Sequence, residues 1–130
     1  MTYGKTITVD MPFDEAVEAT KAALKEQGFG TLMEIDIKAT LKEKIGAEKD
    51  DYVILGACNP RLADAALNLE PQLGLLLPCN VVVRREEGTT IVQALDPEIM
   101  VRVSGKEDLE EIAAEAGRLL DAALEALEAS

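Results

Sequence analysis

The side chains of this sequence that could take part in chemistry lie where predicted strands end. Three short segments each place a polar or reactive residue beside a proline: GACNP at 56–60, LPCNV at 77–81 and LDPE at 95–98. Strand ends are where a sheet offers side chains to a ligand, so we expect these segments to converge on one site. The candidate ligand-binding residues are Cys58, Asn59, Pro78, Cys79, Asn80 and Asp96.

The two cysteines carry the most distinctive chemistry of this set. Cys58 directly precedes a predicted helix, whose unpaired N–H groups and dipole favour a thiolate. Cys58 and Cys79 together could form a redox pair or hold Cu(I), which accepts two thiolate ligands. Alternatively both are small core residues, because unpaired cysteine is among the most buried residue types. Their spacing matches no zinc or cluster pattern, and we predict no metal site and no cofactor.

The sequence contains no histidine, and this excludes several function classes. Ser-His-Asp and Cys-His nucleophilic sites and imidazole zinc sites are ruled out. Neither a Gly-x-Gly-x-x-Gly nor a phosphate-binding Gly-x-x-x-x-Gly-Lys-Ser/Thr pattern occurs, so a nucleotide site is not indicated. A thiolate or a carboxylate can act without histidine, so catalysis stays open, but we rank it below non-enzymatic functions.

Composition predicts one acidic domain over residues 1–130. The chain has 130 residues, of which 48% are hydrophobic but only 3% aromatic, so its core must be aliphatic. A net charge of -12 would repel phosphate groups, and nucleic acid and anionic membranes are therefore not expected as partners. Apolar runs are too short to span a bilayer, and we expect a cytoplasmic protein with reduced thiols.

The first half of the chain alternates between predicted strands and helices. The patterns predict strands over 3–9 and 29–35, a helix over 12–27 and a short helix over 37–45. The nearly continuous apolar run 52–57 indicates a central strand covered on both faces. Asn59 is suited to cap a third helix that begins at Pro60 and runs through Leu69, and this role is the alternative to ligand binding for Asn59.

The second half is dominated by a hairpin and a long helix. Residues 79–85 and 89–95 flank a Glu-Glu-Gly turn, and 73–77 is a helical turn or tight loop. A continuous apolar stripe from Leu109 to Leu127 predicts the last helix. The fold class is therefore α+β, a two-layer sandwich. Its mixed, mainly antiparallel sheet of about five strands is packed by helices, with a long C-terminal helix.

Three blocks of this sequence resemble a known family. LGACNP at 55–60, LLLPCNVVV at 75–83 and Asp96-Pro97 are similar to the motifs of domain of unknown function 302. The segment from Gly28 to Lys42 also resembles the N-terminal half of that family. The resemblance implies a compact α+β domain that self-associates. It brings no established activity and no catalytic residue.

These observations favour a small-molecule binding module whose site lies near the two cysteine-containing strand ends. The first alternative is a thiol redox or soft-metal protein, with copper as the metal. The second is a structural or regulatory homodimer without a ligand, for which residues 74–77 and 99–101 supply an apolar patch.

Overall fold

The computed structural model describes residues 3–130, which form five strands and five α-helices. Residues 1 and 2 of the predicted domain lie outside the described residues. The strands are β1 (Gly4–Val9), β2 (Gly30–Asp36), β3 (Tyr52–Cys58), β4 (Cys79–Glu86) and β5 (Thr89–Leu95). The helices are α1 (Phe13–Glu26), α2 (Ile37–Ile45), α3 (Pro60–Leu69), α4 (Glu98–Ser104) and α5 (Glu110–Glu128). Two short 3₁₀ helices cover Pro71–Leu76 and Glu107–Leu109.

Local capping chemistry sets the helix ends that were predicted from sequence. The Asp36 side chain accepts a hydrogen bond from the Ala39 N–H at 2.9 Å, which starts α2. Gly46 ends that helix in the left-handed region, at φ 70. Residues 73–76 belong to the 3₁₀ helix Pro71–Leu76, in keeping with the helical turn predicted over 73–77. Helix α4 was missed, because its seven residues are too few to show a helical period.

The sheet has the order β1-β5-β4-β3-β2, and all four pairings are antiparallel. The α+β class, the five strands and the long C-terminal helix are confirmed. The sheet was expected to be mixed, but none of the pairings between the described strands is parallel. Helix α1 carries the chain from β1 at one edge to β2 at the other, so the alternation of strand and helix creates no parallel neighbours.

The core lies between one face of the sheet and helices α1 and α5. It is aliphatic, as composition predicted: Leu55, Val81, Val83 and Val92 of the central strands meet Leu120 of α5, and all five are fully buried. The register explains this packing, because Leu55 pairs with Val81 and Val83 pairs with Val92, which puts them all on one face.

The opposite face of the sheet is not covered by α1 or α5, and we call it the open face. One row across all five strands shows its character: Ile35, Ile54 and Val82 are apolar, whereas Gln93 and Thr6 are polar. Ile35 is 38% exposed although it belongs to an apolar row. The strand predicted over 52–57 is central, and no residue of β3 is exposed. Its open-face residues Tyr52 and Ile54 are half-buried, and Leu41 of α2 lines a pocket together with Tyr52.

Candidate functional site

A cavity of about 320 Å³ lies beside the end of β3 and the start of β4, and we call it the thiol cavity. Helix α3 forms one wall with Leu62, Ala63, Ala66 and Leu67. The rest of the lining is Phe29, Leu32, Ala57, Cys58, Asn59, Gly74, Leu77, Pro78, Cys79, Met100, Ile112 and Ala116. The walls are almost entirely apolar. The cavity reaches the surface beside Leu32, Leu67 and Gly74, which are exposed.

Strand register brings the two cysteines to this cavity. Ala57 of β3 pairs with Cys79 of β4, so Cys58, the next residue of β3, lies one position away from the partner of Cys79. Both cysteines are free thiols; Cys58 is half-buried and Cys79 is only 6% exposed. Pro78 precedes Cys79 and lines the same cavity. Two of the three predicted segments therefore converge.

Asn59 has the capping role that was the alternative to ligand binding, and it also lines the cavity. Its Oδ1 accepts a hydrogen bond from the Leu62 N–H at 3.2 Å, at the start of α3. Gly28 makes room for this side chain: a Cβ on Gly28 would stand 3.1 Å from Asn59 Nδ2. Gly28 also has φ +85, a backbone conformation that side chains disfavour. The turn before β2 thus supports the start of α3.

Neither Asn80 nor Asp96 is among the described residues that line the thiol cavity, which corrects the expected convergence of all three segments. Asn80 points to the open face, because neighbouring residues of a strand alternate sides. Asp96 is held in its own turn. Its N–H donates to the Tyr3 carbonyl at 2.9 Å, and its carboxylate accepts from the Glu98 N–H at 3.0 Å.

The buried thiol of Cys79 is protonated at neutral pH. Burial, together with a smaller effect of the nearby Cys58, raises the pKa of Cys79 to about 11. The inner end of the cavity therefore carries no negative charge from Cys79 under physiological conditions.

A cluster of carboxylate side chains, Asp96, Glu98 and Glu110, lies near the start of α4, outside the cavity lining. Removal from water raises the pKa of Glu98, and its hydrogen bond with Glu110 and the charges of Glu110 and Asp96 act in the same direction. The charge of Arg102 opposes them. Within residues 3–130, no group of three or more histidine, cysteine, aspartate or glutamate side chains is arranged to hold a metal ion.

The open face has a shallow groove of about 460 Å³ at the same end of the sheet. Met33, Ile35 and Ile54 form its floor, and Leu75 and Ile99 lie at its side. Leu75 is 85% exposed. The groove is part of the apolar half of the open face, which consists of the apolar side chains that β2, β3 and β4 place on this face.

The family model described as "Domain of unknown function DUF302" matches residues 5–127. The chain belongs to the DUF302 family. A crystal structure of an uncharacterized conserved DUF302 protein from Bacillus stearothermophilus has 33% sequence identity and a TM-score of 0.92. The match covers 98% of this chain and 99% of the Bacillus chain. Among curated proteins, none matches this chain.

Membership of the DUF302 family indicates no function by itself. The motifs that carried the resemblance hold Cys58, Asn59, Pro78 and Cys79, and these residues line the thiol cavity. None of the helices described in this DUF302 chain combines the length and apolar character needed to cross a membrane.

Sequence reasoning missed Met100 and the small residues of α3 as parts of the site. Ala63 and Ala66 lie within the predicted third helix, which was given no part in the site. Their small size was the available signal, since an alanine wall facing a strand end leaves space that leucine would fill. Met100 had no such signal, because it lies on the unpredicted helix α4.

Proposed function

We propose that this protein binds a small apolar molecule in the thiol cavity. The observation that carries the proposal is the cavity itself: about 320 Å³, with apolar walls and an opening to the surface. Ligand sites in proteins begin at roughly 300 Å³ and combine apolar walls with few polar groups. A protein interior is otherwise close-packed, and larger residues at Ala63, Ala66 and Ala116 would fill this space. Binding of a ligand therefore explains the thiol cavity better than the stability of the fold does.

A pair of variants on α3 tests this proposal. Ala63 and Ala65 are both half-buried, but only Ala63 is among the cavity-lining residues. Ala63→Phe should therefore fill the cavity and weaken binding of the fluorescent probe 1-naphthylmethanol at least tenfold. Ala65→Phe should leave the dissociation constant within about twofold. Thermal melts verify that both variants fold. Equal affinities in the two variants would count against binding in this cavity.

The thiol alternative uses the same cavity. The sulfur-bearing side chains of Cys58, Cys79 and Met100 all line it, and thiolate and thioether sulfur are preferred ligands of Cu(I). A protonated Cys79 opposes metal binding, because a thiol must lose its proton to become a strong ligand. Anaerobic titration with Cu(I) in competition with a colorimetric chelator tests this function. If the double variant with Cys58→Ser and Cys79→Ser binds Cu(I) as tightly as the unmodified chain, this function is excluded.

The open face supports self-association as a second candidate function. Its apolar half exposes Met33 and Ile35 at 45% and 38%. Five strands about 4.8 Å apart and about seven residues long give the face a projected area of roughly 550 Å². Side chains at its end, including Leu75 and Ile99, extend it towards the roughly 800 Å² per partner of a standard interface. We propose a homodimer in which two open faces pack together.

Light scattering on two lysine variants tests the dimer. Ile35 and Thr8 are exposed residues on opposite edge strands of the open face, one in its apolar half and one in its polar half. Ile35→Lys should convert a dimer to a monomer at micromolar concentration, whereas Thr8→Lys should not. A monomeric unmodified chain would remove this candidate.

We propose that the protein is located in the cytoplasm. Two free thiols are compatible with a reducing environment, where disulfides do not persist.

A further inference from the structure

We propose that the ligand of the thiol cavity is an uncharged hydrophobic compound, and that carboxylates and ammonium ions of the same size are excluded. This inference rests on the proposed function, since it concerns the ligand of that same site.

The wall of the cavity offers an ion no charged side chain. Among the described residues that line it, none has an aspartate, glutamate, lysine or arginine side chain. The Asn59 Oδ1 already accepts from the Leu62 N–H, so this amide leaves only its Nδ2 to donate to a ligand. An ion transferred from water into such a wall loses its hydration and gains neither a counter-charge nor a set of hydrogen bonds.

The buried thiol of Cys79 does not change this balance at neutral pH. Burial keeps the Cys79 thiol protonated, so it supplies no negative charge that could hold a cation. Sulfur and aromatic side chains are nevertheless useful contacts for an apolar ligand. Met100, Cys79 and the Phe29 ring line one cavity, and sulfur makes favourable contacts with aromatic rings.

The size of the cavity narrows the class further. At the packing density of a protein interior, about 320 Å³ accommodates a ligand of roughly ten to fifteen non-hydrogen atoms. A bicyclic aromatic alcohol or a medium-length alkyl alcohol fits this limit. A ligand this small does not extend far beyond the opening, so a charged group on it would stay at or inside the apolar rim formed by Leu32 and Leu67.

The overall charge of the protein sets an order between the two excluded classes. The net charge of -12 repels anions and attracts cations over a distance. We therefore expect the neutral compound to bind most tightly, the cation next and the anion least.

Three naphthalene probes test the inference because they share one ring system and differ in charge. They are 1-naphthylmethanol, 1-naphthylmethylammonium and 1-naphthoate, titrated at pH 7 and about 0.15 M salt by fluorescence and calorimetry. The alcohol should bind at least tenfold more tightly than either ion, a difference of about 1.4 kcal/mol. Either ion binding within threefold of the alcohol would overturn the inference and leave the proposed function standing. If none of the probes binds, or if Ala63→Phe leaves binding unchanged, the proposed function fails as well.

A charge placed in the wall provides an independent test. Asn59→Asp keeps the helix cap, because aspartate is as good a cap as asparagine, and adds a carboxylate beside the ligand. It should raise the affinity for the naphthylmethylammonium ion relative to the alcohol at least tenfold. Asn68→Asp adds the same charge to the exposed side of α3, outside the lining, and should change that ratio less than twofold. An unchanged ratio in Asn59→Asp would show that the neutral wall is not what excludes ions.

Discussion

Raising the pH should destabilise this protein through one side chain, Cys79. Burial raises the pKa of its thiol from the ordinary 9.0 to about 11 in the folded chain. The folded state therefore keeps a proton that the unfolded state releases between these two values. The corresponding contribution to the free energy of unfolding is fully present below pH 9 and is lost as the pH rises to about 11. A difference of about two pH units corresponds to about 3 kcal/mol.

Urea unfolding at intervals from pH 8 to pH 11 measures this loss. Lysine and tyrosine side chains also titrate in this range, so the informative quantity is the difference between the unmodified chain and Cys79→Ala. Cys79→Ala is less stable at pH 8 because it enlarges a cavity, but its stability should fall less steeply above pH 9. Parallel curves for the two proteins would refute the argument, because they would mean that Cys79 titrates alike in the folded and unfolded states.

Three further predictions test local arguments, and the first two include a matched control substitution. Gly28→Ala and Gly46→Ala both force alanine to positive φ, but only at Gly28 would the added Cβ meet a close neighbour. We expect the free energy of unfolding, measured in urea, to fall by about 2 kcal/mol for Gly28→Ala and by about 1 kcal/mol for Gly46→Ala. Equal losses would contradict the packing of Gly28 against Asn59. Asn59→Ala removes the cap of α3 and should cost about 1 kcal/mol in a thermal melt, a loss that Asn59→Asp should not show. Glu98→Gln removes repulsion from Glu110 and should stabilise the protein at pH 7 by no more than about 0.5 kcal/mol, whereas a clear destabilisation would show that repulsion does not dominate there.

The elements with strong local signals could be predicted from sequence, and the elements that depend on distant contacts could not. Asp36, Asn59 and Pro60 start helices through their own side-chain chemistry, so those boundaries agree with the structure. The place of β2 at the sheet edge is set by the path of α1 over the sheet, and it leaves no local signal. Helix α4 is short and gains its stability from packing, as shown by the burial of Met100.

The candidate site was predicted in part for the same reason. Cys58 and Cys79 were expected to meet because each lies at the end of a strand, and antiparallel pairing of β3 with β4 does bring them together. Asp96 also follows a strand, but its carboxylate is used locally at the start of α4. Sequence position alone does not distinguish a polar group that is free for a ligand from one that already serves its own turn.

The apolar residues of β3 were predicted to be covered on both faces by the chain itself, and the proposed dimer adds a second explanation for those on the open face. Ile54 was expected to be covered within the chain, yet it lies on the open face. Ile54 is half-buried there, and the proposed dimer would cover it further with a second open face.

The proposed ligand site and the proposed dimer face share a thin wall. Leu77 and Pro78 line both the thiol cavity and the groove on the open face. A Cβ on Gly56 would stand 3.0 Å from Pro78 Cγ and 3.1 Å from Met33 Cε, so this wall has no spare room. If a ligand shifts Pro78, we expect Met33 on the open face to shift with it, because both side chains pack beside Gly56. Linkage is reciprocal, and a ligand that alters the dimer constant must therefore show a matching difference in affinity between monomer and dimer.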